Sequence, residues 1–290
     1  MKFTKTGFAR PALLLAAVGI AAPALAANVA TTSATFQFGY VGATDDFGDA
    51  DAAEAIEWSG PPYAEQPFIS IPSFGNGGSS ADSSQTMDGI SLYDDQTLYD
   101  AYPNYGVGLP PVIVSIDTSA TAEGPDASQQ GGIRREETIF NFSYYGQDDT
   151  SSLTLNFEWD ALWSVLLETH QNGHTSGGIN LEARVYDEFD DLVSEWYIPG
   201  PAGNPPGNGI HIGDPYADGH DTNVDQTDAF FGPSSGVISF ALSDVTSGSY
   251  WTIVFGAEVV SRADVDPVPL PPAMWLLGSA LVALAGRRRR

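Results

Sequence analysis

The most evident chemistry in the sequence lies in the oxygen-bearing side chains between Asp214 and Asp228. Asp221, Asn223 and Asp225 follow a D-x-N-x-D spacing, which resembles the first half of a calcium-binding loop, where alternate oxygens converge on one hard cation. The candidate ligands of Ca²⁺ are Asp214, Asp218, Asp221, Asn223, Asp225 and Asp228.

Two positions of this segment depart from an EF-hand loop. Gln226 occupies the place of the turn-forming glycine, and Gly232 occupies the place of the bidentate glutamate. The sequence also predicts no flanking helices. The segment is therefore interpreted either as a solvated acidic loop or as a loop that calcium orders, and calcium is the one cofactor that the sequence suggests.

Three other spacings resemble catalytic motifs, and the context argues against each. Gly232–Gly236 matches G-x-S-x-G, but a loop precedes it and a strand follows, so a turn is expected instead of a nucleophile elbow. His170 and His174 lack the glutamate of a zinc-protease helix and are expected in an exposed turn. Glu158 and Asp160 share a strand face as a glycosidase pair would, yet such pairs arise by chance in so acidic a chain. No catalytic residue is predicted, and an enzyme is not expected.

The elements that would position these residues follow a period of two. Such alternation predicts strands with one buried face, as in antiparallel sheets. The fold class is therefore mainly β, an antiparallel sandwich or jelly roll. The segment from Trp159 to Leu167 also fits a helical stripe, so a strand through Trp159 is followed by a short helix or a further strand. The alternating runs begin at Val112, Phe140, Leu153, Leu181, Ile238 and Tyr250.

Other regions show weaker periodicity. Phe74–Asp88 is rich in Gly, Ser and Asp and is predicted to be a long exposed loop. Pro199–Ser235 is predicted to be a second long loop, either functional or disordered. Between Ala27 and Tyr105 the alternation is weaker, and strands are less well defined there.

The N-terminal segment has the pattern of a secretory signal peptide. Lys2, Lys5 and Arg10 precede a short apolar run, which closes on the small residues Ala24 and Ala26. The run is too short to cross a bilayer comfortably. Residues 1–26 are therefore predicted to be removed by signal peptidase, with cleavage after Ala26.

The C-terminal segment combines a stiff motif, an apolar helix and a basic end. Val268–Pro272 carries three prolines, which fix an extended backbone. Ala273–Gly286 has no charge, and a helix of this length covers only about 21 Å of a hydrocarbon core of about 30 Å. Tilting or local thinning of the bilayer would close the gap. The terminal arginines favour a cytoplasmic end.

These C-terminal residues resemble the sorting signal of the PEP-CTERM/VPLPA-CTERM class of Gram-negative bacteria. Val268, Pro269, Leu270 and Pro271 match the first four letters of the VPLPA motif, and Pro272 replaces the usual alanine. The resemblance implies that an exosortase-like membrane protease processes the tail. The chain would pass through an inner-membrane intermediate, held by the C-terminal helix, to the cell surface, outer membrane or extracellular matrix. The basic residues of the signal are Arg287, Arg288, Arg289 and Arg290.

The charge distribution restricts the partners of the central domain. Of the 11 basic residues, seven lie in the two terminal segments, whereas all 37 acidic residues lie between them. The domain of residues 27–263, with the short linker that opens the 264–290 tail, thus carries 4 basic and 37 acidic residues, a net charge of −33. Such a surface repels nucleic acid. The chain has no cysteine, so neither disulfides nor thiolate metal sites stabilise it.

Three classes of function remain open. A structural or adhesive surface protein linked to exopolysaccharide agrees best with the sorting signal. A carbohydrate-binding module is the alternative, and a secreted hydrolase ranks last. In a carbohydrate-binding module, exposed aromatic rings would stack on sugars, whereas packing in the core and in turns is the more ordinary role of such rings. The aromatic residues concerned are Trp58, Tyr63, Tyr93, Tyr99, Tyr102 and Tyr105.

Overall fold

The fold is mainly β, with antiparallel sheets and a single α-helix of seven residues in the described part of the chain. The structure, a computed structural model, describes residues 27–45, 50–124, 128–146, 150–170, 173–197, 210–212 and 226–266. The strands are β1 Asn28–Asp45, β2 Ile56–Trp58, β3 Tyr63–Ala64, β4 Phe68–Ser70, β5 Ser73–Phe74, β6 Asn76–Met87, β7 Ile90–Ser91, β8 Val112–Glu123, β9 Ser128–Tyr144, β10 Thr150–Thr169, β11 Thr175–Tyr186, β12 Leu192–Tyr197, β13 Ile210–Ile212, β14 Gln226–Val245 and β15 Tyr250–Val265. The helical segments are a 3₁₀ turn, Ala50–Ala53, and α1, Asp95–Ala101.

The strands form two sheets. Sheet A has the order β14-β10-β1-β8-β6-β7, and sheet B has the order β12-β11-β15-β9-β2. The short strands β3, β4 and β5 continue along the free edge of β9, and β13 pairs with β11. Strands β8 and β1 of sheet A approach β15 and β9 of sheet B, so the two sheets face each other.

An apolar layer fills the space between the sheets. Phe38 and Phe157 point inward from sheet A, and Phe140 and Phe255 point inward from sheet B. The Phe38 and Phe255 rings stack with centroids 4.5 Å apart, and the Phe140 and Phe157 centroids are 5.6 Å apart. Full burial of each such side chain contributes about 1.5–3 kcal/mol. The period of two in the sequence therefore has its expected cause, one buried face per strand.

The long strand β10 replaces the short helix considered after Trp159. Thr150–Thr169 is one strand, with β1 on one side and β14 on the other. Leu162 and Leu166 fit the helical stripe, but they lie on the outer face, 68% and 38% exposed. Backbone pairing on both edges outweighs the weak helical pattern, so the segment is β as the second alternative has it, but it continues β10 instead of forming a separate strand.

The prediction of an exposed loop at Phe74–Asp88 is wrong. These residues form the end of β5 and all of β6, which pairs with β8 from Asn76 to Met87. Small hydroxyl side chains form part of this pairing, since the Ser80 and Ser119 Oγ atoms lie 2.9 Å apart. A composition of Gly, Ser and Asp hides such a strand, because it lacks the apolar alternation that marks the others.

Two further boundaries differ from the sequence prediction. Strand β14 begins at Gln226, so the C-terminal part of the predicted Pro199–Ser235 loop is a strand, and β13 lies inside the same range. Strand β15 ends at Val265, so Asp264 is part of the sheet and not of a linker. Asn28 Nδ2 donates a hydrogen bond of 2.7 Å to the Asp264 carbonyl, which ties the first strand to the last.

The predicted signal peptide and the predicted tail, residues 1–26 and 267–290, lie outside the described residues. Within the described part of the chain, no helix has the length and apolar character needed to cross a membrane.

Candidate functional site

The predicted calcium ligands fall almost entirely outside the described residues. Residues 213–225 are among those not described, and Asp228 lies in β14, where its backbone pairs with Leu167. Asp228 is therefore part of a strand and not of a loop. In the described part of the chain, no group of three or more His, Asp or Glu side chains could hold a metal ion.

Of the three catalytic resemblances, two lie on strands of sheet A. The G-x-S-x-G match, Gly232–Gly236, lies within β14 opposite β10, so the expected turn is wrong. A nucleophile elbow needs a sharp turn from a strand into a helix, which a continuous strand does not provide. Glu158 and Asp160 do share the outer face of β10, as predicted, and both are exposed.

The two histidines flank the turn between β10 and β11, and their backbones are held in place. The His170 N–H donates to Asn28 Oδ1 at 2.8 Å, and the His174 N–H donates to Asp264 Oδ1 at 2.6 Å. Both side chains are half-buried instead of exposed, and His174 Nε2 is buried without a hydrogen-bond partner among the described residues. These contacts secure the sheet end at which β1 begins.

The six aromatic residues do not form one sugar-binding platform. Trp58 and Tyr105 are buried and pack edge to face, with centroids 5.4 Å apart, which confirms the packing role for these two. Tyr63 on β3, Tyr93 in the turn between β7 and α1, and Tyr99 on α1 are exposed. The sixth, Tyr102, donates its hydroxyl to Asp88 Oδ2 at 2.8 Å.

A small open cleft lies beside β2. Its volume is about 330 Å³, and its lining includes Glu54, Glu57, Asn104 and Tyr145. The buried Trp58 and Tyr105 form its base and belong to the apolar layer. Two of its lining residues, Glu54 and Glu57, carry carboxylates, and its described lining includes no serine, threonine or histidine.

A buried carboxylate occupies the interior between β6 and β9. Glu136 is 1% exposed, and its two oxygens accept hydrogen bonds from four side chains. Arg134 Nε donates at 2.8 Å, Gln85 Nε2 at 2.6 Å and the Tyr93 hydroxyl at 2.5 Å, and Ser83 Oγ is the fourth donor. Because these donors already engage both oxygens, Glu136 has little capacity left for a ligand. This cluster joins the two sheets.

The arginines of the domain are concentrated in sheet B. Between residues 27 and 266 the sequence holds four, Arg134, Arg135, Arg184 and Arg262, and all lie on β9, β11 or β15. Arg134 points inward to Glu136, whereas the neighbouring Arg135 points to the outer face. We call the outer surface of β9, β15 and β11 around Arg135 the arginine face; it comprises Arg135, Glu137, Glu182, Arg184, Gly256 and Glu258.

The arginine face is a network of ion pairs built over a glycine. Arg135 Nη2 contacts Glu137 Oε1 at 2.7 Å and also pairs with Glu182, two strands away. Arg184 Nη2 contacts the same Glu182 oxygen at 2.7 Å. Gly256 lies between Glu137 and Glu182 in the register, and a β-carbon there would come within 3.0 Å of Arg135 Nη2. The absence of a side chain at Gly256 lets Arg135 reach across β15.

Glu258 adds a third carboxylate to this face, directly opposite Arg135 in the register. Burial raises the pKa of Glu258 above its ordinary value, and the nearby Glu182 raises it further. Arg135 and Arg262 oppose this shift. Glu258 is therefore a partly buried member of the face.

Neither the Glu136 cluster nor the arginine face was predicted from the sequence, although the sequence contains one signal for both. The run Arg134-Arg135-Glu136-Glu137 places two arginines before two glutamates inside a strand. A period of two sends one Arg–Glu pair to each face of the sheet, and the structure shows that arrangement. The cross-strand partners on β6 and β11 depend on the register, which the sequence does not display.

Comparison with known proteins adds nothing to the geometry described above. No protein-family model, no curated protein and no solved structure matches this chain.

Glu136 and Glu137, the two acidic residues of the run from Arg134 to Glu137, allow a matched test of the hydrogen-bond network around Glu136. Replacing Glu136 by Ala leaves the largely buried Arg134 without its counter-charge, so we expect a loss of about 3–5 kcal/mol in the free energy of unfolding. The same change at Glu137, which is 29% exposed on the outer face, should cost less than about 1 kcal/mol. Urea denaturation of both variants measures the difference. Equal, small losses would show that Glu136 does not join the sheets.

Proposed function

We propose that this chain is an exported bacterial protein, sorted by an exosortase-like system to the cell surface, outer membrane or extracellular matrix. Its role there is structural or adhesive, is linked to exopolysaccharide and requires no catalysis. Signal peptidase and the exosortase-like protease are its processing partners. The C-terminal apolar helix holds the chain in the inner membrane until processing.

One structural observation supports this proposal above the others. Among the described residues, the first strand begins at Asn28, two residues after Ala26, and the last strand ends at Val265, three residues before Val268. Asn28 bonds directly to Asp264, which brings the two ends of the domain together. Cleavage after Ala26 and recognition at Val268 would therefore leave the domain whole.

The make-up of the domain is consistent with a role outside the cell. Its stability comes from the packing of two sheets and needs no reducing or oxidising compartment, since the chain has no cysteine. A net charge of −33 keeps such a domain soluble and repels nucleic acid and anionic lipid. A hydrated polysaccharide, in contrast, offers hydroxyl groups that such a surface can bind.

Deleting residues 268–290 tests the sorting proposal. We expect the shortened protein to disappear from the cell-surface and matrix fractions, since the processing protease can no longer recognise it. Immunoblots of cell fractions, with an antibody against the domain, measure the distribution. Pro272→Ala restores the usual fifth letter of the motif and serves as the control, with normal sorting expected. An unchanged location after deletion, together with an uncleaved tail in the unaltered chain, would rule the proposal out.

Calcium binding by Asp214, Asp218, Asp221, Asn223, Asp225 and Asp228 is a separate proposal. A cation that binds only the folded chain raises the melting temperature by mass action. We expect a higher melting temperature with CaCl₂ than with EDTA, and no such shift in an Asp221→Asn/Asp225→Asn double variant. Calorimetric titration provides the second readout. An absence of heat and of a melting shift would identify the segment as a solvated acidic loop.

A further inference from the structure

Aromatic side chains border the arginine face along one edge of sheet B. Phe68 on β4 lies opposite Arg135, and Tyr63 on β3 lies opposite Ile139. Residues directly opposite in an antiparallel pair share a face, so both rings belong to the outer surface. Phe68 is 58% exposed and Tyr63 is 36% exposed. This edge thus offers two apolar rings to the solvent beside the ion pairs.

The opposite edge of the face carries tyrosines as well. Tyr197 on β12 lies opposite Glu182, and Tyr186 lies two residues beyond Arg184 on the same side of β11. The hydroxyls of both tyrosines lie close to the Arg184 guanidinium. The Tyr197 hydroxyl donates to Glu195 at 2.9 Å. The ion pairs therefore lie between aromatic residues on two sides.

The ion pairs cover the centre of the face. Gly256 has no side chain, and its neighbours across the sheet are Glu137 and Glu182. The Arg135 guanidinium and the Glu182 carboxylate occupy the space above this glycine, each 3.0 Å from the position that a β-carbon would take. The surface between the aromatic edges is therefore formed by these charged groups.

The arginine face offers both hydrogen-bond donors and hydrogen-bond acceptors. A guanidinium has five N–H donors and a carboxylate has about four lone-pair sites, so the pairs of Arg135 and Arg184 do not exhaust either. A ligand with many hydroxyl groups can both donate and accept here.

The charge balance selects among such ligands. Arg135 and Arg184 offset two of the three carboxylates of the face, whereas the domain as a whole carries a net charge of −33. An acidic polymer is repelled by the surrounding surface, and a basic polymer would bind more strongly to the uncompensated acids elsewhere. An uncharged ligand is neither repelled from this face nor attracted away from it.

We propose that the arginine face and its bordering aromatic rings bind a chain of neutral sugars. Aromatic rings with a few well-placed polar groups are typical of small-ligand sites, and a sugar presents apolar C–H surfaces to the rings and hydroxyls to the ion pairs. This inference rests on the proposed function, for which it supplies the contact with exopolysaccharide.

Affinity electrophoresis of the full chain, purified in detergent, tests this site. The native gels contain dextran, laminarin or galactomannan as neutral probes, and alginate as the acidic one. We expect at least one neutral probe to slow the unaltered chain, and Phe68→Ala to weaken the apparent affinity by roughly tenfold. Gly256→Ala, whose methyl group would displace the Arg135–Glu182 ion pair from its position over the glycine, should weaken it as well. Leu162→Ala removes a comparably exposed apolar side chain from the outer face of sheet A, and should change nothing.

Thermal melting of each variant confirms that binding is compared between folded proteins. The proposal is overturned if no neutral probe retards the chain, if alginate alone does, or if folded Phe68→Ala and Gly256→Ala bind as tightly as the unaltered protein. Sorting is measured independently by the location of the chain in cells. A correctly sorted protein that binds no neutral polysaccharide would therefore contradict this site and leave the proposed sorting unaffected.

Discussion

The apolar layer between the two sheets is the interaction on which the rest of the molecule depends. Without cysteines, and with a net charge of −33 that opposes compaction, the domain relies on burying one face of each long strand. Phe38, Phe140, Phe157 and Phe255 form the centre of this layer, with ring centroids 4.5–6.2 Å apart in the contacts that link the two sheets. Because the inner faces are occupied in this way, interactions with other molecules take place on the outer faces, the edges and the connecting segments.

The cluster around Glu136 and the arginine face differ in how their charges are compensated. Glu136 lies inside, where four donors hold its charge, and its cost of burial is offset only because all four are present. The cluster therefore fixes how β6 and β9 meet. On the outside, Arg135 joins carboxylates from two strands over Gly256 and leaves donors and acceptors at the surface. The same four-residue run in β9 thus supplies both an internal connection and an external binding surface.

Sequence patterns reveal the strands that alternate in hydrophobicity, and they fail where alternation is absent. Strands β8, β9, β10, β11, β14 and β15 were predictable because at least part of each carries apolar residues at every second position. Strand β6 was not, since Gly, Ser and Asp pair well with β8 without an apolar stripe. The arginine face was hidden for another reason. Its members come from three strands, and only the register brings Arg135 opposite Glu258 and beside Glu182.

The central claim is that a folded β domain is delivered to the cell envelope between two signals that are both processed. The intact mass of the protein extracted from the cell surface tests it most directly. The account predicts a chain that begins at Ala27 and lacks the terminal arginines Arg287–Arg290. A mass that corresponds to the whole of Met1–Arg290 would contradict it.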